Sequence, residues 1–73
     1  MTVAVYDLRA LIEDVEFLAD TRETFDRAAV RLGVSRTALE KRLRTAGRTD
    51  LLGRLGGYQA WVVDRQRRAR AAA

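Results

Sequence analysis

Between residues 24 and 47 the chain reads T-F-D-R-A-A-V-R-L-G-V-S-R-T-A-L-E-K-R-L-R-T-A-G, and this stretch constrains the fold more tightly than any other. It holds two short helical patterns hinged at Gly33. In the first, Phe25, Ala28, Ala29 and Leu32 recur at helical spacing, and in the second Ala38, Leu39, Leu43 and Ala46 do. Thr24 and Ser35 stand where each pattern begins, as N-cap residues whose short side chains accept from the free N–H groups of the first turn. Gly33 and Gly47 stand where each ends, in a left-handed backbone that glycine takes without strain. Asp26 brings a negative charge to the start of the first of these helices, where the helix dipole favours it.

The flanking sequence continues in the same style. Leu8, Leu11, Ile12, Val15, Leu18 and Ala19 form one face of an amphipathic first helix capped by Asp7, with Asp14, Glu16 and Asp20 off that face. Phe17 is also off it, placed for a later element or a partner. Residues 20–24 are a polar break. Thr49 is expected to cap a short fourth helix carrying Leu51, Leu52 and Leu55, which Gly56 and Gly57 end. Tyr58, Trp61, Val62 and Arg65 mark one face of a last, basic helix over residues 58–72. Residues 2–5 alternate too briefly for a strand and read as a frayed start or a lead-in to the first helix. With no proline and no convincing strand, the expected fold is all-α: a small bundle of four to five helices containing a helix-turn-helix, in one domain spanning residues 1–73.

Composition narrows what such a bundle does. A chain of 73 residues buries only about 60 % of its unfolded surface, so a partner is a natural further source of stability. The absence of cysteine and histidine removes disulfides, thiolate metal sites and the common neutral-pH proton shuttle. No Gly-rich phosphate loop or carboxylate constellation is present; Glu13 and Glu16, three apart, read as a solvated face. An enzyme is not expected, nor a cofactor, metal or small-molecule ligand. No apolar run approaches the length of a membrane span and no secretory leader is recognisable, so the expected location is the cytoplasm, on the nucleoid. Thirteen arginines against one lysine suggest the coding bias of a GC-rich genome.

Charge is unevenly distributed. Residues 1–30 carry seven acids against three arginines (net −4), whereas residues 31–73 carry eleven bases against three acids (net +8), which together give the overall +4. Such a split suits a protein that offers one end to a polyanion; a solvated surface of uneven charge is the plain alternative. Taking Ala38, Leu39 and Leu43 as inward, the periodicity turns Ser35, Arg36, Thr37, Glu40, Lys41 and Arg44 outward. Residues near the start of a helix lying in the major groove meet base edges, and later ones meet the backbone. Arg36 matches guanine O6 and N7, Thr37 a thymine methyl or a phosphate, and Glu40 a cytosine amino group. Lys41, Arg42 and Arg44 suit phosphates, with the helix N-terminal amides near Thr24 and Ser35.

Residues 25–47, with Ala29, Gly33, Val34, Leu39 and the capping Ser35, resemble the helix-turn-helix of the phage repressor and Cro families. The run over residues 11–55 also looks like the DNA-binding part of small actinobacterial and actinophage regulators. The resemblance implies a sequence-specific double-stranded DNA-binding transcriptional regulator, repressor- or Cro-like, with base-reading roles on Ser35, Arg36, Thr37, Glu40 and Lys41. Backbone contacts then fall to Thr24, Arg42, Arg44, Arg48, Arg54, Arg65, Arg67 and Arg68. The chain departs from the family at Phe25-Asp26, where a phosphate-anchoring polar residue is usual and Asp26 is expected to repel phosphate. Its C-terminal portion matches no family dimerisation element. Tyr58, Trp61 and Val62 form either a homodimer seam or the cover of a monomer's core, and the arginine-rich end is either a DNA contact or a solubilising helix end. The rival reading is a helical protein–protein interaction module that uses the acidic first helix and Phe17 to hold a polymerase subunit or another regulator.

Overall fold

The computed structural model describes residues 7–72 and shows a small all-α bundle. Its helices are α1 (Leu8–Asp20), α2 (Phe25–Leu32), α3 (Arg36–Thr45), α4 (Thr49–Arg54) and α5 (Tyr58–Ala72). The alternating segment at residues 2–5 lies outside the described residues.

Local chemistry sets most boundaries. The Asp7 carboxylate accepts from the Arg9 N–H, Thr24 Oγ1 from Arg27 and Ser35 Oγ from Ala38, so three of the four expected caps are in place. Gly33 is left-handed, at φ 71°, and the Val34 N–H returns to the Ala29 carbonyl at 3.0 Å. This is the double reverse bond that satisfies the last carbonyls of a helix. The end of α1 uses the same bonds without a glycine. Arg22 takes the left-handed seat at φ 63°, and the Glu23 N–H returns to Leu18 at 2.9 Å. One expected cap is displaced: Thr49 is the first residue of α4, and Arg48 holds the capping position without a side-chain cap bond. The Arg48 guanidinium instead reaches Asp50 and Glu16.

The core is drawn from every helix. Leu11 and Val15 of α1, Phe25 and Ala28 of α2, Leu39 and Leu43 of α3, and Leu51 of α4 are all essentially sealed from water. Small Ala28 and Ala29 on α2 let its neighbours approach closely. Two backbone bonds then join distant turns: Phe25 N–H to Gly56 carbonyl at 2.7 Å, and Gly56 N–H to Glu23 carbonyl at 3.2 Å. This tie brings the start of α5 against the start of α2. Phe25 meets Tyr58 edge-on with ring centroids 5.1 Å apart, and Trp61 lies at the same separation from Phe25.

Tyr58 is buried and Trp61 and Val62 are half-buried, so these three cover the core of the single chain. The Tyr58 ring packs against Phe25 and its hydroxyl meets charged partners. From Val63 to Ala71 α5 is exposed. Among the described residues, no helix is long and apolar enough to cross a membrane.

Candidate functional site

α3 is held from both sides. Leu39 and Leu43 anchor it in the core, Gly33 and Val34 connect it to α2, and α5 crosses close enough to share hydrogen bonds with it. Its exposed row is Thr37, Lys41 and Thr45, flanked by Arg42 and half-buried Ala38 on one side and Arg44 on the other. Thr45 was not singled out from sequence, although its spacing from Thr37 and Lys41 (two successive steps of four) puts it on the same line.

Glu40 is the main correction. The periodicity assigns it outward as a base-reading residue, but it is 8 % exposed and faces α5. The Tyr58 hydroxyl donates to its Oε2 at 2.5 Å, and Arg65 donates to Oε1 at 2.9 Å and to Oε2 at 3.4 Å. Arg44 completes the group, donating to the Tyr58 hydroxyl at 2.9 Å and lying 3.6 Å from the carboxylate. The inward arc of α3 is therefore Leu39, Glu40 and Leu43, with Ala38 at its edge. A buried carboxylate is tolerable there because every side of it meets a donor. The Arg65 hydrogen bond holds the Glu40 carboxyl below its usual range against the opposing effect of burial, with Tyr58 assisting. Burial pushes the Tyr58 hydroxyl up, as does its bond to the Glu40 carboxylate.

This network also engages two residues expected on phosphates. Arg65 lies over the Trp61 ring, 4.4 Å from its centroid, and is committed to Glu40, which raises its own pKa. Arg44 is committed on one side, while its side chain stays largely exposed. The signal for Arg65 was present in the sequence, since Tyr58 and Arg65 are seven apart and share a face of α5.

The remaining expected residues divide by how free they are. Arg36 donates to Asp26 at 3.1 Å and lies 5.8 Å from the Trp61 centroid. Ser35 and Thr24 are exposed, but each side-chain oxygen is occupied in capping. Arg48 is tied to Glu16 at 2.8 Å and Asp50 at 3.1 Å, which raises its pKa, with the Asp50 hydrogen bond the larger cause. Arg54 pairs with Asp20, and Arg68 with Asp64 at 3.1 Å. Lys41, Arg42 and Arg67 have no ion-pair partner among the described residues.

Electrostatically, the result is a helix whose one acid is turned inward and neutralised while its four bases stay exposed. The solvent-facing side of α3 thus carries cations and hydroxyls and no carboxylate of its own. Among the described residues, no group of three or more His, Cys, Asp or Glu side chains is placed to hold a metal ion. No known protein family, curated protein or solved structure matches this chain.

Proposed function

We propose that the protein is a double-stranded DNA-binding regulator in which α2 and α3 form a helix-turn-helix and α3 enters the major groove. The observation that carries this reading is the asymmetry of α3, whose bases all face water while Glu40 is withdrawn. A rigid helix with a cationic, hydroxyl-bearing face meets the two demands of groove recognition, phosphate attraction and donors for base edges. Arg36, Thr37 and Lys41 are the base-reading residues in this proposal, with Ser35 beside them at the helix start. Arg42 and Arg44 flank them for phosphates, and Arg67 and Arg68 on the exposed end of α5 add a second backbone contact. Glu40 is assigned a supporting role, holding α5 against α3. A repressor- or Cro-like regulator of phage type is the finer form of this proposal, resting on the resemblance of residues 25–47.

Selection from random duplex DNA, followed by anisotropy titrations at two salt concentrations, tests it. A preferred duplex is expected, with Arg36→Ala losing about 1–3 kcal/mol on that site and relaxing preference at one base pair. Arg42→Ala is expected to weaken all duplexes alike and to lower the log–log salt slope by about 0.9. Failure to enrich any duplex overturns the proposal.

A second reading rests on Phe17, which is 65 % exposed on α1 with Glu13, Asp14 and Asp20 as its helical neighbours. An exposed aromatic ringed by acids suits contact with a basic protein surface. It predicts capture of a protein partner that Phe17→Ala abolishes and Arg36→Ala leaves intact.

A further inference from the structure

Asp26 is the residue that fits a DNA-facing surface least well, and its contacts suggest why it is there. It occupies the first turn of α2, ten residues before Arg36, and accepts from that guanidinium at 3.1 Å. Both side chains are substantially exposed, so the pair contributes little to stability. The side-chain cap of α2 is Thr24, which accepts from the Arg27 N–H, rather than Asp26. The α2 dipole favours a carboxylate there slightly, but beside a basic helix that carboxylate also weakens attraction to phosphate unless it directs something.

What it directs is Arg36. Helical side chains lean toward the N-terminus, so Arg36, the first residue of α3, projects past the end of its helix toward α2. There it meets Asp26 from one element and the Trp61 ring, 5.8 Å from its centroid, from another. Two contacts from two helices restrict a side chain that otherwise has many rotamers. The Asp26 bond uses one Nη1 donor of a group with five N–H donors, leaving others for an acceptor pair such as guanine O6 and N7.

We propose that Asp26 is a positioning residue that sets specificity: it presents the Arg36 guanidinium to a base edge and withholds it from phosphates. The inference rests on the DNA-binding reading of α3 and adds the device by which that helix separates cognate from random sequence. A phosphate competing for Arg36 has to displace a carboxylate that also repels it, whereas a neutral base edge meets no such repulsion.

The test compares wild type, Asp26→Asn, Arg36→Ala and the double variant by anisotropy. The ligands are the duplex selected by wild type, its single-base-pair variants and a random duplex. Asp26→Asn is expected to bind the random duplex more tightly and to lose about tenfold in discrimination at one base pair, the same pair that Arg36→Ala makes indifferent. In the Arg36→Ala background, Asp26→Asn is expected to leave that base pair unchanged. Unaltered discrimination, a loss spread evenly over all base pairs, or an effect persisting without Arg36 overturns the inference while leaving DNA binding intact. If wild type selects no duplex, the DNA-binding reading fails and this inference fails with it. Asp26 is exposed, so a thermal melt of Asp26→Asn matching wild type confirms that folding is not the cause.

Discussion

Replacing Glu40 with glutamine separates a structural role at this position from a base-reading one. The substitution keeps the size of the side chain and one acceptor oxygen, removes the charge and turns the other oxygen into an N–H donor. The bond most affected is that from the Tyr58 hydroxyl, which is short at 2.5 Å and shielded from water. A hydrogen bond to a charged group contributes about 1.5–3 kcal/mol and a neutral one about half as much, so roughly 1 kcal/mol is lost there. Arg44 and Arg65 are about half exposed and regain solvent, so their part is small. For a domain of this size, about 1 kcal/mol lowers Tm by about 4–8 °C. Trp61 is the one tryptophan and lies beside Tyr58, which makes its fluorescence a direct reporter of urea and thermal unfolding. A double-mutant cycle with Tyr58→Phe is expected to give a coupling of about 1 kcal/mol. Unchanged stability in Glu40→Gln, together with an altered base preference on DNA, would refute the reasoning and return Glu40 to the groove.

The same network sets the pH response. Glu40 is held below its ordinary value, so its contribution is complete above the unfolded value of about 4.3 and is lost as pH falls through the lower folded one. Tyr58 is raised, so its contribution holds below about 10 and is lost as pH rises through the higher folded value. Urea midpoints measured across pH should show both flanks, and Glu40→Gln should flatten the acidic one. A reciprocal pair tests the left-handed turns. Gly33→Ala meets open space but an unfavourable φ, and is expected to cost about 1 kcal/mol. Arg22→Gly relieves similar strain against the greater freedom of an unfolded glycine, for a net gain of about 0.5 kcal/mol in the same unfolding assay.

Most of the helical layout was legible because its signals are local. Asp7, Thr24 and Ser35 cap the N–H groups two or three residues ahead, and Gly33 and Gly47 end their helices, so no knowledge of tertiary structure was needed. Thr49 misled because the first helical residue and its cap are adjacent and Arg48 has no capping side chain to announce itself. Glu40 misled for a different reason. Its partners Tyr58 and Arg65 lie 18 and 25 residues away, and only the docking of α5 decides that this side of α3 faces inward. Periodicity ranks residues by hydrophobicity and so assigns any acid to the outside. Asp26 was legible as an anomaly, but the partner ten residues on that accounts for it depends on how α2, α3 and α5 meet.

The tie between the Thr24 and Gly56 turns carries a kinetic consequence. It fastens the two ends of a segment holding α2, α3 and α4, so those helices form a closed ring, with α1 and the first turns of α5 packed against it. The Phe25 and Gly56 amides that lock the ring cannot be freed by the fraying of any one helix. They are expected to exchange their hydrogens only when the ring opens, and to do so together, on the timescale of the slowest core amides. Loss of α5 beyond Arg65 should leave that rate unchanged, whereas loss of Tyr58 and Trp61 should release both amides at once.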